Sequence, residues 1–301
     1  MRIYTLGGHG MLGSTFYRYA SMWHTVIVPR HKFVDATDYN SLFEDIKVHR
    51  PDVIVNFVAI CDMERCESNP AEAIRVNVQA SANSALIASQ LGIEYMYISS
   101  ACVFDGEKYE YEKTDAVNPV SIYGKTKLMG EAVTRTVPKN YIVRSEWCFG
   151  GGPIHDTKFI GKIYRQILAG ATEIKAVSDK HGSLSYIDDL AVGIEKIIKF
   201  QEYGTYHITC LGTASRYEVA KEFVRLIGME DKIAVTPVKS SEFTKEYFAP
   251  RPTSERLVNT PVPFFQPRPW QECLAEYARC FEEDLWTRKM ISSSASSPIM
   301  G

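Results

Sequence analysis

The stretch RIYTLGGHGMLGSTFYRYA, residues 2–20, decides the fold. RIYTL is a short apolar run, a glycine cluster follows, and Phe16, Tyr17 and Tyr19 then set a helical pattern. Strand, glycine turn, helix is the context in which glycines hold a dinucleotide. Gly7, Gly10 and Gly13 fit the spacing GxxGxxG, and Gly8, Gly10 and Gly13 fit GxGxxG. Glycine lets the backbone turn tightly and approach a pyrophosphate, whose charge then faces the N-terminus of the helix. A plain glycine-rich turn is the alternative reading, and its place in the first strand–helix unit favours cofactor binding.

Outward from this unit the pattern repeats. A second strand is expected at TVIVP, residues 25–29, followed by Arg30, His31 and Lys32. An acidic residue here would bond a ribose 2′-hydroxyl, whereas basic residues suit a 2′-phosphate, so NADPH is favoured over NADH. Asp35 follows, within reach of an adenine. A helix from about Asp38 to His49 leads into DVIVNFVA, residues 52–59, a β-branched run of the kind found in buried parallel strands. Asn69-Pro70 starts another helix, Gly92 stops it, and Asn77 lies near its centre. EYMYISS, residues 94–100, is the next strand. Regular alternation of strand and helix predicts an α/β fold with a Rossmann-like doubly wound parallel sheet. Residues 1–150 and about 172–203 are expected to form it. Residues of about 151–171 and 204–289, including a helix from Lys158 to Ala169, would form a smaller C-terminal substrate lobe. The Ser-rich residues 290–301 read as a disordered tail.

In such sheets ligands bind at the carboxyl ends of strands, where Ser99 and Ser100 close the fourth strand. In SIYGKTKLMGE, residues 121–131, Tyr123 precedes Lys127 by one helical turn, so both lie on one face. A phenol beside an ammonium is a candidate general acid, because a positive neighbour favours the phenolate. The same spacing occurs at Tyr109/Lys113, in a charged loop, and at Tyr217/Lys221, in an ordinary amphipathic helix capped by Ser215. Of the three, only Tyr123 opens the helix expected to follow the crossover from the fourth strand and to lie beside its terminal serines; Tyr217/Lys221 comes too late in the order.

The composition is that of a globular protein, with 45% hydrophobic and 23% charged residues. A formal charge of −2 gives no reason to expect nucleic acid or an anionic membrane as partner. No apolar run approaches the length of a membrane span. Seven scattered cysteines complete no zinc pattern and suit a reduced, cytoplasmic protein.

The chain resembles an extended short-chain dehydrogenase/reductase, and within it the dTDP-4-dehydrorhamnose reductase family. RPDVIVNFVA (50–59), CDMERCESNP (61–70), VNV (76–78), VFDG (103–106), IYGKTKLMGE (122–131) and RSEWCFG (144–150) carry the resemblance. It continues through DKHGSLSYIDDLA (179–191), GTYHIT (204–209), APRPTSERL (249–257) and RPWQECLAEY (268–277). The resemblance implies a catalytic set of Ser100, Tyr123 and Lys127. Tyr123 would protonate the substrate oxygen, Ser100 would orient it, and Lys127 would bond the nicotinamide ribose and lower the tyrosine pKa. Gly10, Met11 and Leu12 would cover the pyrophosphate, Asp35 and Ala36 the adenine, and Phe57, Val58 and Ala59 the adenosine side. Trp147 matches a position that contacts substrate; a buried strand-end tryptophan is the alternative.

The implied reaction is NAD(P)H-dependent reduction of the 4-keto group of a nucleotide-linked 4-keto-6-deoxysugar. One departure bears on the sugar. Where the family reads Ser-Thr-Asp-Tyr, this chain reads Ser99-Ser100-Ala101-Cys102, which makes Ala101 and Cys102 candidate specificity positions. Ser-Ser-Ala also resembles the nucleotide-sugar 4-epimerases, which hold NAD tightly. The dehydratases need an Asp-Glu pair that Ala101-Cys102 does not supply. A non-catalytic NADP-binding regulatory subunit, as for methionine adenosyltransferase, is a third reading. A homodimer is possible. Some relatives dimerise, in certain cases through a magnesium site built of glutamates; no residue-by-residue match to those glutamates can be made in this sequence, so no metal is expected.

Overall fold

In the computed structural model, residues 1–30, 32–200 and 202–295 are described. Five parallel strands are laid down first: β1 (Arg2–Leu6), β2 (Thr25–Ile27), β3 (Val53–Asn56), β4 (Glu94–Ser100) and β5 (Asn140–Ser145). With the strand Gly204–His207 they form one six-stranded sheet in the order β2, β1, β3, β4, β5, Gly204–His207. The chain leaves β1 toward β2 and then crosses back to β3 on the other side of β1. That reversal opens a crevice at the carboxyl ends of β1 and β3.

β3 and β4 are buried along their whole length because successive side chains serve opposite faces of the sheet. On one face Tyr4, Leu6, Ile54, Tyr95 and Tyr97 pack with Leu42 and Ile46 of α2 (Tyr39–His49), and with Ala85 and Ala88 of a later helix. On the other, Ile3, Val53, Val55, Met96 and Val143 meet Phe16 and Ala20 of α1 (Met11–Ala20), and the helix Ile187–Phe200. Each buried aliphatic side chain contributes about 1.5–3 kcal/mol.

The helix expected between Asn69 and Gly92 is composite. After a separate short α3 (Met63–Ser68), α4 (Pro70–Ala73) runs into a π-helical turn, Ile74–Gln79, and then α5 (Ala80–Leu91). Gly92 ends it at φ 68°, a left-handed cap suited to glycine.

A separate core builds the second half. It gathers Trp147 and Phe149 with the helices Phe159–Leu168 and Arg216–Leu226, and with the helix starting at Trp270. The strand Glu173–Val177 pairs with Ala234–Val238, and His181–Ser183 pairs with Thr213–Ser215 and Ser254–Glu255. The division thus differs from the expected one. Residues 173–177 belong to the lobe, and Gly204–His207 belongs to the main sheet because its backbone completes the ladder with β5. The last helix continues to Ala295, where a tail is expected from residue 290, since extending a formed helix costs little per residue. Residues 296–301 lie outside the described residues. No helix among the described residues is long and apolar enough to cross a membrane.

Candidate active site

The glycine turn is shaped by contact. Gly7 has φ 71°, and a Cβ there would come within 3.0 Å of the Phe57 carbonyl carbon and the Val58 nitrogen. A Cβ on Gly13 would meet the Gly7 oxygen at 2.5 Å, and the Gly7 oxygen accepts from the Gly10 amide at 3.0 Å. Glycine is therefore required where α1 begins and where β1 approaches the chain leaving β3. Gly10 caps α1 without a side-chain bond, and the first turn holds no acidic residue. Its exposed amides suit a pyrophosphate. Met11 and Leu12 open α1, and Met11 Cγ lies 3.2 Å from where a Gly151 Cβ would stand. These features fit the dinucleotide that the sequence implies.

The neighbouring positions lie at the ends of β2 and β3. β2 ends at Ile27, two residues early, and Arg30 is exposed beyond it; His31 lies outside the described residues. Asp35 accepts from the Thr37 amide and hydroxyl, both at 2.9 Å, which fixes the turn carrying Ala36. Beyond β3, Asn56 accepts from the Val58 amide at 2.9 Å, shaping Phe57, Val58 and Ala59.

α6 (Ile122–Thr134) carries Tyr123 and Lys127 and is seated by glycines. A Cβ on Gly124 would lie 2.1 Å from the Cys102 carbonyl oxygen, and one on Gly130 would strike the Tyr97 ring at 2.4 Å. α6 therefore packs directly on β4 and on the turn after Ser100. Ser121 caps it, accepting from the Gly124 amide at 3.0 Å. Buried Asn77, on the π-helical turn, accepts from the Ile60 amide at 2.7 Å and donates to Thr126 Oγ1 at 3.0 Å. π-helical turns concentrate at functional sites, and this one ties the loop after β3 to α6.

Tyr123 and Cys102 share one buried cluster. Burial, then the nearby Cys61, Cys102 and Glu146, holds the phenol well above its ordinary value. The lowering expected from Lys127 is not found: burial moves the phenol the other way. Burial also pulls Lys127 down to about 8. Its Nζ donates to the Ile98 carbonyl at 2.5 Å and sits 4.3 Å from the Tyr97 ring centre.

Beyond Ser100 the structure brings the expected Cys102 and Trp147 together with Glu146, Glu255 and Arg216, which the sequence reading missed. Ser100 Oγ donates to Glu146 Oε2 at 2.8 Å and accepts from the Cys102 amide at 3.2 Å. Glu146 is pushed up to about 8 by burial and by Glu255, against bonds from the Trp147 amide and Ser100. Trp147, with φ 42° and 8% exposure, donates from Nε1 to Glu255 Oε2 at 2.8 Å. The Cys102 thiol lies 3.3 Å from Glu255 Oε1 and is held protonated by burial. The Arg216 guanidinium covers the Trp147 ring at 3.8 Å and is pulled down to about 10 by burial. Cys102, Glu146 and Glu255 place donor atoms within 4.8 Å of one another. Their carboxylate oxygens already accept from Ser100, the Trp147 amide and the Trp147 indole, so the trio is a hydrogen-bonded proton cluster.

Ala101 does not join this group. It is 1% exposed and packs with Val103, Phe104, Tyr111 and Leu257, on the far side of the turn. Of the two candidate specificity positions, only Cys102 shares a cluster with Tyr123. The signal for Glu146 is a single charged residue set directly after a buried strand.

The parallel sheet, glycine turn and strand-end serine beside a Tyr-x-x-x-Lys helix define an extended short-chain dehydrogenase/reductase. The family described as RmlD substrate binding domain matches residues 1–282. A dTDP-4-dehydrorhamnose reductase from Mycolicibacterium smegmatis is 31% identical over 288 residues, covering 91% of this chain and 84% of that protein. The crystal structure of a dTDP-4-dehydrorhamnose reductase from Yersinia enterocolitica is 36% identical, with a TM-score of 0.85, over 93% of this chain and 99% of that one. A Bacillus anthracis enzyme of the same name, solved in complex with NADP, is 27% identical, with a TM-score of 0.84, over 92% and 98%. The chain belongs to the RmlD family.

Proposed function

We propose that the protein reduces the 4-keto group of a nucleotide-linked 4-keto-6-deoxysugar with NADPH or NADH, in deoxysugar biosynthesis. The observation that carries this reading is the seating of Tyr123 against the turn that follows Ser100, made possible by Gly124. Gly7, Gly10, Met11, Leu12 and Gly13 would hold the cofactor pyrophosphate, and Arg30 a 2′-phosphate. Asp35 and Ala36 would line the adenine, and Phe57, Val58 and Ala59 the adenosine side. When bound, the cofactor supplies the hydride.

The chain supplies the proton and the orientation. Tyr123, kept protonated by burial, donates its phenolic proton to the keto oxygen as charge develops there. Ser100 hydrogen-bonds the same oxygen and fixes its direction. Lys127 would hold the cofactor ribose with the ammonium that here rests on Ile98 and Tyr97. Cys102 and Trp147 bound the sugar end.

NADPH oxidation with a panel of dTDP-, UDP- and GDP-4-keto-6-deoxysugars tests the proposal. One or more should turn over, and Tyr123→Phe should lower turnover at least ~100-fold while leaving the fold intact. Absence of turnover across the panel, with NADPH bound, would overturn it. Stoichiometric NAD retained through purification would favour the epimerase reading instead.

A further inference from the structure

A serine hydroxyl has one proton to give and two lone pairs. Ser100 Oγ uses one lone pair for the Cys102 amide and points its proton at Glu146 Oε2, 2.8 Å away. With Glu146 ionised, the serine proton stays directed at the carboxylate, and only a lone pair is left for a substrate oxygen. With Glu146 neutral the bond reverses. The carboxylic acid donates to Ser100 Oγ, and the serine proton turns outward. A developing oxyanion is stabilised by a donor and repelled by a lone pair.

We propose that Glu146 is a positioning residue for the reduction: its neutral form sets the direction of the Ser100 hydrogen bond, so that Ser100 donates to the keto oxygen. This rests on the reductase reading of the site. No covalent bond changes at Glu146; its proton stays shared with Ser100.

The surroundings of Glu146 favour the neutral form. Glu255 faces it from the strand Ser254–Glu255 and the Cys102 thiol from the turn after β4, at 3.9 Å from Oε2. The Tyr123 phenol stands near on α6, and the Cys148 thiol lies on its own segment. Against them acts Arg216, whose guanidinium lies over Trp147 without an ion pair among the described residues. Burial and Glu255 together outweigh Arg216 and the two hydrogen bonds, so the carboxyl titrates at about 8.

The folded pKa is raised, so the competent form is present below about 8 and lost as pH rises through that value. Lys127 titrates at about 8 as well. Wild-type kcat/KM for an accepted keto sugar should therefore fall in alkali with the steepness of two protons, about 100-fold per pH unit at the limit. In Glu146→Gln the amide always donates to Ser100, so the fall should ease to about tenfold per unit. Glu146→Gln should also exceed Glu146→Ala at least ~10-fold at neutral pH. An unchanged alkaline slope in Glu146→Gln, or activity no better than Glu146→Ala in folded, NADPH-binding protein, overturns the proposal.

Infrared difference spectroscopy gives a readout independent of turnover. The carbonyl stretch of a protonated carboxyl should be present at neutral pH, vanish on titration and be missing from Glu146→Gln. Its absence from wild type overturns the neutral Glu146 even if the reductase reading stands. A band present in a protein that reduces no keto sugar overturns the reductase reading, and with it the role given to Glu146.

Discussion

Replacing Glu131 by Gln should destabilise the protein more than any surface change and loosen the helix that bears Tyr123. Glu131 lies on α6, fully buried. Its two oxygens take the Arg144 guanidinium of β5 at 2.7 and 2.8 Å, and Ser99 of β4 donates to it at 2.7 Å. Arg144 is itself 1% exposed, so removing its partner leaves a buried charge uncompensated, at a cost of about 3–5 kcal/mol. At about 2–4 °C per kcal/mol the melting temperature should fall by roughly 6–20 °C. Replacing both partners with apolar residues, Glu131→Leu with Arg144→Met, should recover most of the loss. Thermal and urea unfolding measure both. Burial alone would raise the Glu131 carboxyl, but Arg144 outweighs it and holds it below its ordinary value. The pair's contribution is thus full above the unfolded value of about 4.3 and disappears as pH falls through the folded one. The gap between wild type and Glu131→Gln should close in acid. A loss below about 1 kcal/mol, the range of solvated pairs, at neutral pH would refute the reasoning.

Gly13→Ala places a Cβ 2.5 Å from the Gly7 oxygen, so NADPH affinity measured by calorimetry should drop at least ~10-fold, or by about 1.4 kcal/mol. Gly92→Ala, which meets nothing within 4 Å but keeps φ at 68°, should cost about 1 kcal/mol of stability without touching that affinity. Lys127→Met should stabilise the apo protein at neutral pH by on the order of 3 kcal/mol while abolishing turnover. Burial depresses the Lys127 pKa to about 8, so the unfolded chain binds the extra proton, and wild-type stability should rise relative to the variant between about pH 8 and about pH 10. A pH-independent difference in melting temperature would contradict that assignment.

What the sequence made legible follows from periodicity and from glycine. RIYTL and EYMYISS are strands over their expected residues because an apolar run bounded by turns has few alternatives. The helix capped by Ser215 forms with a full capping box. GTYH was read into the lobe, since four mixed residues carry no burial signal, and only pairing with β5 places them in the sheet. Glu146 and Glu255 stayed hidden because each is an ordinary charge in its own segment. Their proximity arises from chain segments more than a hundred residues apart, as does the Trp147–Glu255 bond. Arg216 read as the first residue of an amphipathic helix, and nothing local says that it covers an indole. Ala101 and Cys102 looked alike as departures, and the tight turn after β4 sends them to opposite clusters.

The partners of the Trp147–Glu255 bond emerge far apart during synthesis, 108 residues from one another. β1 to β5 have all emerged by Ser145, whereas Gly204–His207 and Glu255 arrive much later. Domains fold as units while the chain is still being made. Until Glu255 has emerged, the nascent chain holds the glycine turn and the Tyr123 helix with no Glu255 to stand beside Glu146. A growing chain therefore carries the residues of the glycine turn before the proton cluster beside Ser100 can be completed.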